Sequence, residues 1–107
     1  MIFDAATLLS FFDRDDTKHW AVTGTVELLA DSEPLMVSPF VIAELEPIVI
    51  ARYGVEGWRA TLDELASGAW TIAHVGPEHL TRVAVRCADG ESLAAASSEA
   101  LAQQVSS

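Results

Sequence analysis

Residues Pro34–Glu56 read PLMVSPFVIAELEPIVIARYGVE, and this stretch decides the architecture. Leu35–Val37 is a short continuous apolar run, the pattern of a strand covered on both faces in a parallel sheet. Ser38-Pro39 then opens a helix. The serine hydroxyl can accept a free backbone N–H, and a proline at the first helical position gives up no hydrogen bond. The following turns point Val41, Ile42, Leu45, Ile48 and Val49 inward. Pro47 withholds one backbone donor inside the helix, which predicts a kink there. Gly54 ends the segment. A buried strand thus feeds directly into an amphipathic helix, the repeating unit of α/β domains.

The same alternation extends both ways. Upstream, Met1–Asp4 is another short buried run, closed by an acid. Ala5–Phe12 follows as a helix with Leu8, Leu9 and Phe12 on one face, and Asp13–Lys18 as a charged loop. Thr17 is placed to cap a helix through about Ala30, with Trp20, Thr23, Val26 and Leu29 spaced along it. Downstream, Val55–Ser67 is amphipathic and closed by Gly68. Ala69–Ala73 reads as a third strand, and Pro77 opens a helix to about Cys87. Asp89-Gly90 is a turn before a last helix, Glu91–Gln104, rich in alanine and serine. Strands alternating with helices predict a parallel sheet covered by helices. In such folds sites gather at the carboxyl ends of the strands. Asp4 stands at such an end, and Glu44 lies about two turns into the helix after the second strand.

Composition narrows the function classes. At 107 residues, half of them hydrophobic, the chain suffices for one domain with a core. Sixteen acids against six bases give a net charge of −10. That charge repels bulk phosphate and argues against a sequence-independent nucleic-acid coat. It leaves room for an enzyme that meets RNA through metal ions, because a bound cation reverses the local charge. The one cysteine, Cys87, excludes an internal disulfide and reads as a small residue on a helix face. The N-terminus lacks a basic segment and Asp4 interrupts its apolar run, so it does not read as a signal peptide. No apolar run approaches the ~18 residues of a membrane span. The expected compartment is the cytoplasm.

Three phrases carry a family resemblance: MIFDAATLLSFFDRDD from Met1, PLMVSPFVIAELEPIVIARYGVE from Pro34, and LASGAWTIA from Leu65. From Met1 to about Ala102 the chain resembles the PIN domain of VapC-type toxins of bacterial toxin–antitoxin systems. The order strand, Ser-Pro, helix, Ala43-Glu44-Leu45 is the most specific part. The resemblance implies a three-layer PIN-like α/β fold, a short parallel sheet flanked by helices, as a single domain over 1–107 lacking the family's C-terminal strand segment. It implies Mg2+- or Mn2+-dependent endoribonucleolytic cleavage of RNA. In that chemistry carboxylates hold hard cations, which acidify a bound water and neutralise the scissile phosphate. Asp4 matches the family's first acid and Glu44 the second, so both are the expected catalytic and metal-ligating residues.

The departures from the pattern bear on activity. Leu93-Ala94-Ala95-Ala96-Ser97 occupies the place of the phrase that carries the family's third acid, and Ala95 stands at the acid itself. The fourth acid belongs to a segment beyond the last helix, which the sequence lacks. Ala6 replaces a hydroxyl common in relatives, and Glu46-Pro47 an acid followed by an aromatic or aliphatic residue. Glu91 and Glu99 lie four residues either side of Ala95 and are candidates to replace it; Asp89 reads as a turn residue. His19, His74 and His79 read as surface or boundary residues. Trp20, Trp58 and Trp70 read as core or interface, and Arg14 as part of a solvated loop. The resemblance implies an antitoxin partner and RNA as substrate. Without the family's later strand Met1–Phe3 becomes an apolar edge, so a homodimer or a complex with an antitoxin-like partner is expected, and the lack of a long apolar run predicts no membrane partner. The expectation for this copy is weak or absent nuclease activity. The alternative is a non-catalytic PIN domain that dimerises or occupies an antitoxin.

Overall fold

The computed structural model describes residues 1–106. Within them β1 (Ile2–Phe3), β2 (Leu35–Val37) and β3 (Trp70–Ile72) form a parallel sheet in the order β1-β2-β3. The helices are α1 (Ala5–Phe12), α2 (His19–Leu29), α3 (Pro39–Leu65), α4 (Pro77–Cys87) and α5 (Leu93–Ser106). This is the α/β architecture expected from the alternating pattern. Ile2 pairs with Met36 and Phe3 with Val37, while Leu35, Met36 and Val37 pair with Trp70, Thr71 and Ile72. In the central β2, Leu35 and Val37 are buried and Met36 is half-buried.

The core sits between the sheet and α1 and α3. Phe3, Leu8, Val37, Val41 and Leu45 are wholly buried, each contributing about 1.5–3 kcal/mol relative to an exposed side chain. Trp70 closes one side, edge-on to Phe3 at 5.1 Å and to Phe11 at 5.3 Å between ring centroids. A second small cluster of Val83, Ala96 and Ala100, with Cys87 against it, holds α4 to α5. Alanines on α5 let the two helices approach closely, so the Ala-rich tail is a packing face.

Some local expectations change. The break in α3 falls at Gly54, whose φ of 74° only glycine adopts freely, while the backbone stays helical at Pro47. Pro47 is exposed, so water can satisfy the carbonyl it leaves without a donor. α2 starts at His19 after Lys18 and has no side-chain cap. The Thr17 cap is not made; Asp16 Oδ1 instead accepts from the Lys18 N–H at 2.8 Å. Trp58 and Trp70 are buried, but Trp20 is 75% exposed. His19 and His79 are buried, and only His74 is exposed. Both buried rings have hydrogen-bond partners on other helices, His19 at the Ser10 carbonyl of α1 and His79 at Ser97 of α5, which a linear sequence does not display. No helix among the described residues is long and apolar enough to cross a membrane.

Candidate functional site

Asp4 is the residue where β1 becomes α1. Its backbone is extended and its Oδ1 accepts from the Thr7 N–H at 2.8 Å, the ordinary N-cap arrangement. One carboxylate oxygen is therefore engaged in capping, and the side chain is exposed. Glu44 lies in the second turn of α3, also exposed, one residue before the wholly buried Leu45. Ser38, which ends β2, caps α3 by accepting from the Phe40 N–H at 3.1 Å. β1 and β2 are adjacent and parallel, so both acids follow strands that end on the same edge of the sheet. Ala95 is exposed in the first turn of α5, with Ser92 Oγ accepting its N–H at 3.2 Å. α5 packs on β1 and α3, the elements that lead to Asp4 and Glu44.

The acids near Ala95 are committed elsewhere. Glu99 accepts from Arg86 of α4 at 2.7 Å. Glu91 has a carboxylate oxygen buried without a partner. Burial, and next the neighbouring Glu99 carboxylate, push the Glu91 carboxyl above the usual carboxylate range. These side chains make a group with Arg86 at the α4–α5 turn. Asp89 lies in that turn, where Gly90 takes a φ of 92°. Among the described residues no three His, Cys, Asp or Glu side chains are arranged to hold a metal ion.

Two clusters had no signal in the sequence. Asp13, read as part of a solvated loop, is 4% exposed. It accepts from Arg52 at 2.5 Å and from the Tyr53 hydroxyl. The Tyr53 bond, then the Asp15 N–H and Arg52, hold its carboxyl below the usual range against the opposing effect of burial. This ties the end of α1 to α3 next to the Gly54 break. Beside it a groove of about 1010 Å³ runs between α1, α2 and the second half of α3, lined by Phe11, Phe12, Trp20, Val49 and Tyr53 among others. The second cluster is a chain of buried side chains. Ser38 Oγ and Ser97 Oγ are 2.6 Å apart, and Ser97 Oγ is 2.7 Å from His79 Nε2.

No family model matches the chain. The chain is 42% identical over 84 residues to Ribonuclease VapC26 of Mycobacterium tuberculosis, a match covering 78% of the chain. It spans 61% of the length of that relative. The crystal structure of Mycobacterium tuberculosis VapC20, a sarcin-ricin loop cleaving toxin, shares the fold. The TM-score is 0.77 over 99% of this chain and 84% of that one, at 21% identity. The sequence likeness carries the ancestry and the shared sheet and helices carry the architecture: the chain is a homologue of the VapC-type PIN-domain ribonuclease toxins.

Proposed function

We propose that the chain is a VapC-type PIN-domain protein whose metal-dependent endoribonuclease activity is weak or lost, and which retains protein partners. Asp4 and Glu44 are the two acids assigned to the catalytic and metal-ligating positions that remain. The observation that carries the reading is the donor set. Two exposed carboxylates follow the first two strands, one at the start of α1 where it already caps the helix and one in the second turn of α3, with an alanine at position 95. Of the candidate replacements, Glu99 is paired with Arg86, and Glu91 is partly buried beside Glu99.

This set does not fit a magnesium centre of the family type. A hard cation held near-octahedrally needs fixed oxygen ligands in addition to its waters. Two carboxylates provide few, so no cleavage step is assigned to a bound ion here. The test is RNA cleavage with Mg2+ and with Mn2+, by the native chain, Asp4→Ala and Ala95→Asp. Little or no cleavage by the native chain is expected, with a gain in metal affinity in Ala95→Asp. Vigorous cleavage that vanishes in Asp4→Ala would restore the full enzyme reading.

A protein partner is supported by the groove between α1, α2 and α3. Its lining joins Phe11, Phe12 and the 75% exposed Trp20 to the charged Asp15 and Glu64, a mixed surface of the kind a protein partner can cover. An antitoxin-type protein is the partner this reading assigns. Association of two copies of the chain is the second partner.

A further inference from the structure

We propose that Ser38, Ser97 and His79 form a one-way hydrogen-bond chain that latches α4 and α5 to the carboxyl end of β2, and that protonation of His79 opens it. The proposal rests on geometry independent of any nuclease activity.

Ser38 and Ser97 are wholly inaccessible and His79 is 7% exposed. The three side chains come from the β2–α3 junction, α5 and α4. Each serine has one hydrogen to donate, and two arrangements run in a single direction along the chain. In the first, Ser38 donates to Ser97 and Ser97 donates to an unprotonated His79 Nε2. Ser38 Oγ then still accepts from the Phe40 N–H at 3.1 Å, and every hydrogen in the chain has an acceptor. In the second, Nε2–H donates to Ser97 and Ser97 donates to Ser38. Ser38 then receives both Ser97 and Phe40 and has no acceptor for its own hydrogen. A buried hydroxyl hydrogen without an acceptor is costly. The first direction therefore holds at neutral pH and requires the neutral ring with its proton on Nδ1.

Protonation places a hydrogen on Nε2 that Ser97 must accept: either the chain reverses, or Ser97 accepts from both neighbours and its own hydrogen has no acceptor in the chain. The surroundings disfavour it as well. Burial, and next the Arg82 guanidinium, keep the imidazole below its usual pKa. Glu78 and Arg82 of α4, His74 of the preceding loop and Gln104 of α5 line the cleft beside His79. The Glu99 carboxylate on α5 is turned to Arg86 instead. From the α3 side the facing group is the Ser38 hydroxyl. Glu78 is the one acid in that cleft lining, and it forms no hydrogen bond to the His79 ring.

The latch joins elements that carry the candidate site positions. Ser38 is six residues before Glu44, and Ser97 two after Ala95. Opening it loosens the start of α3 and the first turns of α5 together, so the edge carrying Asp4 and Glu44 loses its support in acid.

The sign follows from linkage. A histidine with a depressed folded pKa leaves stability intact above its ordinary value of about 6.5 and removes it as pH falls below that. The experiment is hydrogen exchange of α4 and α5 amides in the full chain from pH 7.5 to 5.0, corrected for intrinsic rates, with ring 15N shifts of the histidines. The opening equilibrium should rise by up to about tenfold per pH unit, the limit for one proton. In His79→Gln, whose amide oxygen can still accept from Ser97, that rise should be absent. The native ring should show the Nδ1–H form at pH 7.5. An Nε2–H form at pH 7.5, or the same pH dependence in His79→Gln, would overturn the proposal. The ring shifts decide it alone if the variant does not fold.

Discussion

At the residue scale, Glu91 shows how one position near the family's third acid has become a structural liability. Its carboxylate is partly withdrawn from water beside Glu99, with one oxygen unpartnered. A carboxyl whose folded pKa is raised contributes stability below its unfolded pKa and loses it as pH rises through the folded value. Glu91→Gln removes the charge and offers Glu99 an N–H donor. The variant should melt at higher temperature than the native chain at pH 7.5, and the gain should fade below the ordinary carboxylate range. An unchanged or lower melting temperature at pH 7.5 would mean that Glu91 is solvated. Asp13 is the opposite case, with a depressed carboxyl held by Tyr53, the Asp15 N–H and Arg52. Its contribution is present at neutral pH and lost as pH falls below the usual aspartate range.

At the element scale, α3 concentrates the information. Its start was readable from Ser38-Pro39, because capping and proline preference act within three residues. Its inward face was readable from Val41, Leu45 and Val49, all buried. The break at Gly54 was readable from the glycine that ends the first segment, while the kink expected at Pro47 is absent because the helix continues through an exposed proline. At Gly57 an added Cβ would lie 2.4 Å from the Tyr53 Cβ. Gly57→Ala must therefore shift Tyr53, which bonds Asp13, and loosen the join between α1 and α3. Gly54→Ala puts a side chain at a φ of 74° and a ψ of −176°, a region essentially only glycine adopts, at a cost of about 1–3 kcal/mol. Leu45→Ala, at a wholly buried position, should cost about 2–5 kcal/mol. Urea unfolding of the three variants checks the order: Leu45→Ala should be at least as destabilised as Gly54→Ala. A Gly57→Ala chain as stable as the native one would show that Tyr53 moves freely there.

At the scale of the whole molecule, β1 is the outer strand of the described sheet. Met36 N–H bonds Met1 carbonyl at 2.8 Å, so in a parallel ladder the N–H and carbonyl of Ile2 face away from β2. An outer strand with outward-pointing backbone groups favours pairing with another chain. Leu80, Val85 and Leu93 are also exposed on α4 and α5, at 48%, 67% and 45%. Self-association brings two chains of charge −10 together, and salt screens that repulsion. A homodimer at low micromolar concentration is expected by light scattering, tighter at about 0.3 M than at about 0.02 M salt, where the Debye length is several-fold longer. A monomer at both salt concentrations would exclude it.

Local rules and global packing divide the protein cleanly. The sequence by itself determined the order of strands and helices, the start of α3 and the bounds of α1, β2 and α4. It also placed Asp4 and Glu44 after strands that end on one sheet edge. Those features depend on hydrophobic periodicity, capping and proline, which act over a few neighbouring residues. The tertiary structure alone decided that Asp13 is buried with Arg52 and Tyr53, 39 and 40 residues away. It alone joined Ser38 to Ser97 across 59 residues and set His79 against them. It also turned Glu99 to Arg86 rather than toward the strand ends. Such contacts depend on how whole elements pack, and polar side chains far apart in sequence carry no periodic signal of the partner they will meet.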